Sequence, residues 1–150
     1  MSITDRLAEL GVTLPDAPAP AANYVPAVRS GDLLFVSGQI SSGPDGLITG
    51  RLGDDMDVEA GAAAARACAI SLLAQVKAAT GDIEALEQVV KLTGFVNCTP
   101  DFGDQPKVIN GASDFLVEAL GDRGRHSRSA VGAILPFGVA VEIEGIFRVR

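Results

Sequence analysis

The 150-residue chain is poor in the residues from which most catalytic centres are built. It holds one histidine, His126, and two cysteines, Cys68 and Cys98. A metal centre needs several correctly spaced ligands, so a zinc or haem enzyme is not expected. The two cysteines lie in a helical and a strand pattern, which is no secreted disulfide framework and fits two reduced thiols in the cytoplasm. Neither a Walker phosphate loop nor a Gly-x-Gly-x-x-Gly turn is present, so nucleotide cofactors have no visible cradle. A serine, His126 and an acid could be assembled on paper, but the chain has no nucleophile elbow. The start, Met1-Ser2-Ile3-Thr4-Asp5-Arg6, lacks a basic segment followed by an apolar one, and no run of eighteen apolar residues occurs. Signal peptide, membrane span and membrane partner are therefore not expected.

Basic charge is also scarce, with 12 lysines and arginines against 19 acidic residues and a net charge of −7. That balance disfavours a broad electrostatic footprint on nucleic acid, so no nucleic-acid partner is expected, although a small local anion site is compatible with it. What is present suffices for one folded domain over 1–150: 47% hydrophobic and 21% charged residues in a chain long enough to bury a core. No internal repeat, low-complexity segment or dividing linker occurs.

Along the chain, 2–11 reads as a short lead-in helix with Ile3, Leu7 and Leu10 on one face, expected to pack on the outside, followed by a Pro-Ala-rich coil to Asn23. Strands are expected at 24–29 and 33–37 around the Ser30-Gly31-Asp32 turn, with a third short strand at 47–49. Asp57 caps a helix to Thr80, stopped by Gly81. The alanine-rich run 60–69 gives that helix a flat surface suited to close approach to a sheet. A central strand is expected at 88–98 and a second main helix at 104–120, ended by Gly121. The last strands are 128–135 and 139–149, with Val141, Ile143, Gly145, Phe147 and Val149 on one face and Glu142 and Glu144 on the other. Strands and helices without strict alternation predict an α+β layer of mixed sheet and two helices.

What is left to carry chemistry is the stretch 124–132, with Arg125 and Arg128, followed by Leu135-Pro136 and by 141–144 with Glu142 and Glu144, which puts an arginine at a strand start and glutamates on a neighbouring strand. An arginine offers a rigid fork of donors for a carboxylate, and a glutamate lining a cleft can orient a water or shuttle its proton. The same pattern also fits a solvated strand edge with weak ion pairs.

Arg128-Ser129-Ala130-Val131, Leu135-Pro136 and Val141-Glu142-Ile143-Glu144 resemble the C-terminal signature of the RidA (YjgF) family. Tyr24, the run from Ser30 to Ile40 and Asn110 resemble its N-terminal hairpin and helix asparagine, so the likeness covers roughly 24–149. The lead-in helix and the stretch 101–113 look like a longer subgroup whose members often lack an assigned reaction. The resemblance implies a chorismate-mutase-like fold assembled as a homotrimer with clefts between subunits. It also implies hydrolysis of reactive 2-imino or enamino acids to 2-keto acids and ammonia without metal or organic cofactor. Carried over, Arg128 grips the substrate carboxylate and Glu142 positions the attacking water. Tyr24, Ser37, Gly38 and Asn110 line the pocket, backbone groups beside Ser129 and Ala130 bond the substrate, and His126 and Glu144 are secondary candidates. The stretch from Arg128 to Pro136 is one residue shorter than the family pattern, which counting back would shift onto Ser127. The local match favours Arg128, with the deletion absorbed at Gly132 by loss of a bulge. Two other readings are a trimer that binds small carboxylated metabolites without turnover, and an endoribonuclease, which the charge balance disfavours.

Overall fold

The computed structural model describes residues 1–19 and 22–150, so Pro20 and Ala21 of the expected coil lie outside the described residues. In chain order the described elements are α1 (Ile3–Glu9), β1 (Ala27–Ser30), β2 (Leu33–Ile40), β3 (Ser42–Gly43), β4 (Gly46–Leu47), α2 (Val58–Thr80), β5 (Leu86–Asn97), α3 (Gln105–Leu120), β6 (Ser127–Ala133) and β7 (Val141–Val149). This is the expected α+β arrangement.

The termini of α2 follow from its sequence. Asp57 accepts a hydrogen bond from the Ala60 N–H at 2.8 Å, and Gly81 ends the helix at φ 80, a left-handed conformation that glycine takes without a Cβ clash. By length and composition alone α2 could cross a bilayer, but its apolar side is core: Ala65, Cys68, Ala69, Leu72, Leu73 and Val76 are fully buried.

The five-stranded sheet runs in the order β1-β2-β7-β5-β6. All neighbours are antiparallel except β5 and β6, which are parallel and joined through α3. The strand expected at the centre, β5, therefore sits one place off it. Its parallel partner takes one side, and β7 inserts between β2 and β5 as the true centre. The expected third strand at 47–49 is a two-residue arm of the small β3–β4 hairpin, because the Gly43-Pro44-Asp45-Gly46 turn folds the chain straight back. In β7 the alternation holds: Val141, Ile143, Gly145, Phe147 and Val149 are buried, while Glu142 is half-buried and Glu144 exposed.

One packing expectation is corrected and another is met and extended. The lead-in helix is part of the core, with Ile3 fully buried and Leu7 nearly so. Its N-terminal donors are met by Glu84, whose carboxylate accepts from the N–H groups of Ile3 and Thr4 at 2.9 Å each and from the Thr4 hydroxyl at 2.7 Å. The alanine-rich surface of α2 meets a helix as well as the sheet. Gly111 of α3 lies so close to Ala62 that a Cβ there would overlap the Ala62 carbonyl oxygen. On the sheet side the Cys68 thiol donates to the Val141 carbonyl at 3.5 Å. Both cysteines are free, and burial, with the charge of Glu142 adding, pushes the Cys68 thiol far above its ordinary pKa.

Candidate functional site

Glu142 stands on the central strand opposite Ile40 of β2 and Phe95 of β5. Between Val36 and Gln39 the pairing of β2 with β7 shifts register, and Gly38 falls inside that irregularity. The Glu142 carboxylate occupies the space a side chain at Gly38 would need, since a Cβ there would collide with Oε2. The bulged glycine is thus the reason the strand pair can hold a carboxylate at this point.

The carboxylate lines a cavity of about 720 Å³ whose walls include Tyr24, Ser37, Gly38, Gln75, Phe137 and Glu144. Burial raises the pKa of Glu142, and repulsion from Glu144 adds to the rise. No lysine or arginine lines the cavity among the described residues. Its floor is held by two buried amides. Gln75 Nε2 donates to the Pro18 carbonyl at 2.7 Å and to Gln39 Oε1 at 3.3 Å, and Gln39 Nε2 donates to the Ser37 carbonyl at 2.9 Å. Ser37 Oγ donates to the Val25 carbonyl at 3.3 Å, which ties β2 to the segment carrying Tyr24.

Arg128 lies elsewhere. It pairs with Leu92 on β5 and shares the helix-facing side of the sheet with it, whereas Glu142 is two strands away on the opposite face. Strand spacing and rise put the two Cα atoms about 14 Å apart. Arg128 Nη1 donates to Ser113 Oγ at 3.1 Å and Nη2 donates to the Pro106 carbonyl at 3.2 Å. Pro106, Asn110 and Ser113 follow one another along one face of α3, so the exposed Asn110 sits between the two acceptors of Arg128. Ser113 Oγ is 2.9 Å from His126 Nε2, and His126 Nδ1 is 2.6 Å from the Gly124 carbonyl. Burial lowers the pKa of His126, the bond to Gly124 opposes this, and the charge of Arg128 lowers it further.

The pairing of β6 with β5 runs from Ser127 to Ala133 without a register shift, so the strand has no bulge at Gly132. Ser127 and Ser129 point to the opposite face from Arg128, and Ser127 Oγ donates to the Val90 carbonyl at 3.0 Å. Ala130 packs inward against the core. As an outer strand β6 leaves part of its backbone unpaired.

Of the expected site residues, the structure gathers Tyr24, Ser37, Gly38, Glu142 and Glu144 in one cavity. Arg128, Asn110 and His126 form a second cluster, with Ser129 and Ala130 beside Arg128 on β6. Sequence reasoning missed Gln39, Gln75 and Phe137. Gln75 carried a signal, as a polar residue beside Val76 in the apolar stripe of α2. Phe137 carried a weaker one, in its place before Gly138. Its φ of 59 is left-handed, uncommon for a bulky side chain, and it holds the exposed ring at the cavity wall.

Residues 4–140 match the family described as YjgF/chorismate mutase-like, putative endoribonuclease. Protein TCP17 of Trypanosoma cruzi is 48% identical over 147 residues, covering 96% of this chain and 92% of that protein. The crystal structure of a putative endoribonuclease from Shewanella oneidensis superposes with a TM-score of 0.95 at 32% identity, over 99% of this chain and 100% of that one. The structure of E. coli TdcF with bound serine superposes with a TM-score of 0.61 at 30% identity, over 89% of this chain and 93% of that one.

Proposed function

The chain belongs to the YjgF/chorismate mutase-like family, and from that premise we propose that it hydrolyses reactive 2-imino and enamino acids to 2-keto acids and ammonia. The observation that carries the proposal is the half-buried Glu142, with its raised pKa, set over Gly38 in a cavity of about 720 Å³, which is within the range of small-molecule sites.

A carboxyl group poised closer to neutrality serves both halves of such a reaction. As a water oxygen attacks C2 of the protonated imine, the Glu142 carboxylate takes the water proton and a carbinolamine forms. The glutamic acid then returns that proton to the amino nitrogen, the C2–N bond breaks, and the departing ammonia takes the hydroxyl proton and leaves as ammonium while the C2 carbonyl forms. An enamino acid first takes a proton at C3 to become the imine. Tyr24 and Phe137 wall the site, and the polar groups of Ser37 lie along its side.

The substrate's carboxylate needs a cation, and the described lining of this cavity supplies none. Arg128 is a suitable one, and it can reach Glu142 only from another copy of the chain, as in a homotrimer with its sites at subunit boundaries. The open face of the sheet supports assembly, since Val28, Phe35 and Val131 are exposed on it and Ile134, just beyond β6, is 97% exposed. The serine bound in TdcF has the carboxylate and C2 nitrogen of a 2-imino acid, which is consistent with the same recognition here.

Ammonia release from freshly generated 2-iminobutyrate should exceed the buffer rate, and Glu142→Gln should lower kcat about 10²- to 10⁴-fold. No rate above buffer from the intact assembly rejects hydrolysis. A second reading, a binder of small carboxylated metabolites without turnover, draws on the same bound serine. It is favoured if Glu142→Gln keeps wild-type affinity for 2-ketobutyrate while the wild type turns over no imino acid. The endoribonuclease description that relatives carry fits poorly with a net charge of −7.

A further inference from the structure

We propose that Ser113 and His126 are positioning residues that fix the guanidinium of Arg128 as a carboxylate-binding fork. The proposal rests on the reading of Arg128 as the substrate's carboxylate partner and adds to it the device that aims the side chain.

Hydrogen accounting gives the relay one direction. The Gly124 carbonyl can only accept, so the proton of the neutral His126 ring sits on Nδ1 and is donated at 2.6 Å. The unprotonated Nε2 is then an acceptor, and it takes the Ser113 hydroxyl hydrogen at 2.9 Å. That orientation turns the hydroxyl's lone pairs to Arg128, whose Nη1 donates to them at 3.1 Å. From two turns of α3 further back the Pro106 carbonyl holds Nη2 at 3.2 Å. Burial favours the neutral ring that this pattern requires.

Every acceptor in the relay is neutral. The three ion pairs among the described residues are Lys107–Asp104, Arg125–Asp122 and Arg148–Glu87, and none involves Arg128. The guanidinium therefore keeps its full charge, and with two of its five N–H donors engaged it has three left for a ligand. A structural arginine is usually neutralised by a carboxylate. This one is immobilised without being neutralised, which is what a preorganised anion site requires.

The test uses full-length wild type, Ser113→Ala, Ser113→Thr, His126→Phe and Arg128→Ala, with two readouts: KM and kcat for 2-iminobutyrate, and Kd for 2-ketobutyrate. Ser113→Ala should raise KM and Kd about tenfold, the loss of one charge-assisted hydrogen bond, with kcat changed by no more than about twofold. Ser113→Thr, which keeps the hydroxyl, should restore both, and His126→Phe should raise both by about threefold, a weaker loss because the effect passes through Ser113. Wild-type Kd in Ser113→Ala, beside lost binding in Arg128→Ala, overturns the positioning role and leaves the carboxylate reading standing. Failure of Ser113→Thr to restore Kd likewise overturns it in favour of packing. Unchanged Kd in Arg128→Ala removes the carboxylate reading and the proposal together. If wild type shows no turnover, the 2-ketobutyrate Kd series decides alone. If Ser113→Ala fails to fold by circular dichroism, His126→Phe, which leaves α3 untouched, decides by the same Kd criterion.

Discussion

Two regions on opposite faces of one sheet mirror each other in charge. Around Glu142 a carboxylate is drawn out of water beside a second carboxylate, with no cation in its cavity among the described residues. Around Arg128 a guanidinium is held by a hydroxyl and a carbonyl, with no ion pair to a carboxylate among the described residues. Burying either charge without a counter-ion costs stability, and α3 and β7 bear that cost without bringing the two together. Each group lacks what the other would supply. On the proposed reading, the difference between them is that each region awaits a partner outside the single chain, a ligand for each and a second copy to bring the two to one place.

Mixing copies breaks the comparison most decisively. Arg128→Ala and Glu142→Gln should each be inactive on 2-iminobutyrate. If a site takes Arg128 from one copy and Glu142 from another, unfolding and refolding the two variants together at equal amounts leaves about one site in four with both residues intact. Ammonia release should return to about a quarter of the wild-type rate. A mixture as inactive as its components would show that one chain supplies both groups.

A single methyl group can disturb one region and spare the other. α3 carries Pro106 and Ser113 and so sets the position of Arg128, while the Glu142 cavity borders α2 and β2. The two helices touch where Gly111 faces the Ala62 carbonyl, a backbone atom that cannot turn aside. Gly111→Ala should destabilise the fold by about 3 kcal/mol in urea titration, at the upper end for overpacking. In the folded fraction it should weaken 2-ketobutyrate binding more than it alters the cavity around Tyr24, whose ring resonances in NMR should stay in place. Equal disturbance of both regions would mean that they are not separable.

Local features of this fold were legible in the sequence where backbone chemistry leaves little choice. Asp57 and Gly81 bound α2 because a carboxylate meets free N–H groups and a glycine accepts positive φ. The period of two in β7 sorted Glu142 from Val141 and Ile143. What was hidden depends on distant pairing. The place of β7 at the centre follows from the parallel β5–β6 crossover, and the burial of Ile3 follows from Glu84, 81 residues further along the chain. The site was half legible for the same reason. Tyr24, Ser37, Gly38 and Glu142 meet through the β2–β7 irregularity. The clustering of Ser113 with His126 and Arg128 required knowing that α3 lies beside β6. Family resemblance named Arg128 and Glu142, but it did not reveal that they point away from each other within one chain.

The smallest effect is also the most direct measure of the contrast, because the two regions should bend stability with pH in opposite directions. The native pKa of Glu142 lies above the ordinary 4.5. The native state therefore holds the extra proton in the window that opens upward from 4.5, and the Glu142 contribution falls as pH rises through it. The native pKa of His126 lies below the ordinary 6.5. There the unfolded chain holds the extra proton in the window that opens downward from 6.5, so the His126 contribution is lost as pH falls through it and is intact above 6.5. Glu142→Gln should raise stability at neutral pH and flatten the acid-side gain, at the expense of turnover. His126→Asn, which does not titrate, should remove the loss below 6.5. Urea midpoints for the two variants and wild type between pH 4.5 and 7.5 check both slopes. Slopes of the same sign would show that one of the two groups has settled into a neutralised pair, and with it the complementary charge of the two regions would fall away.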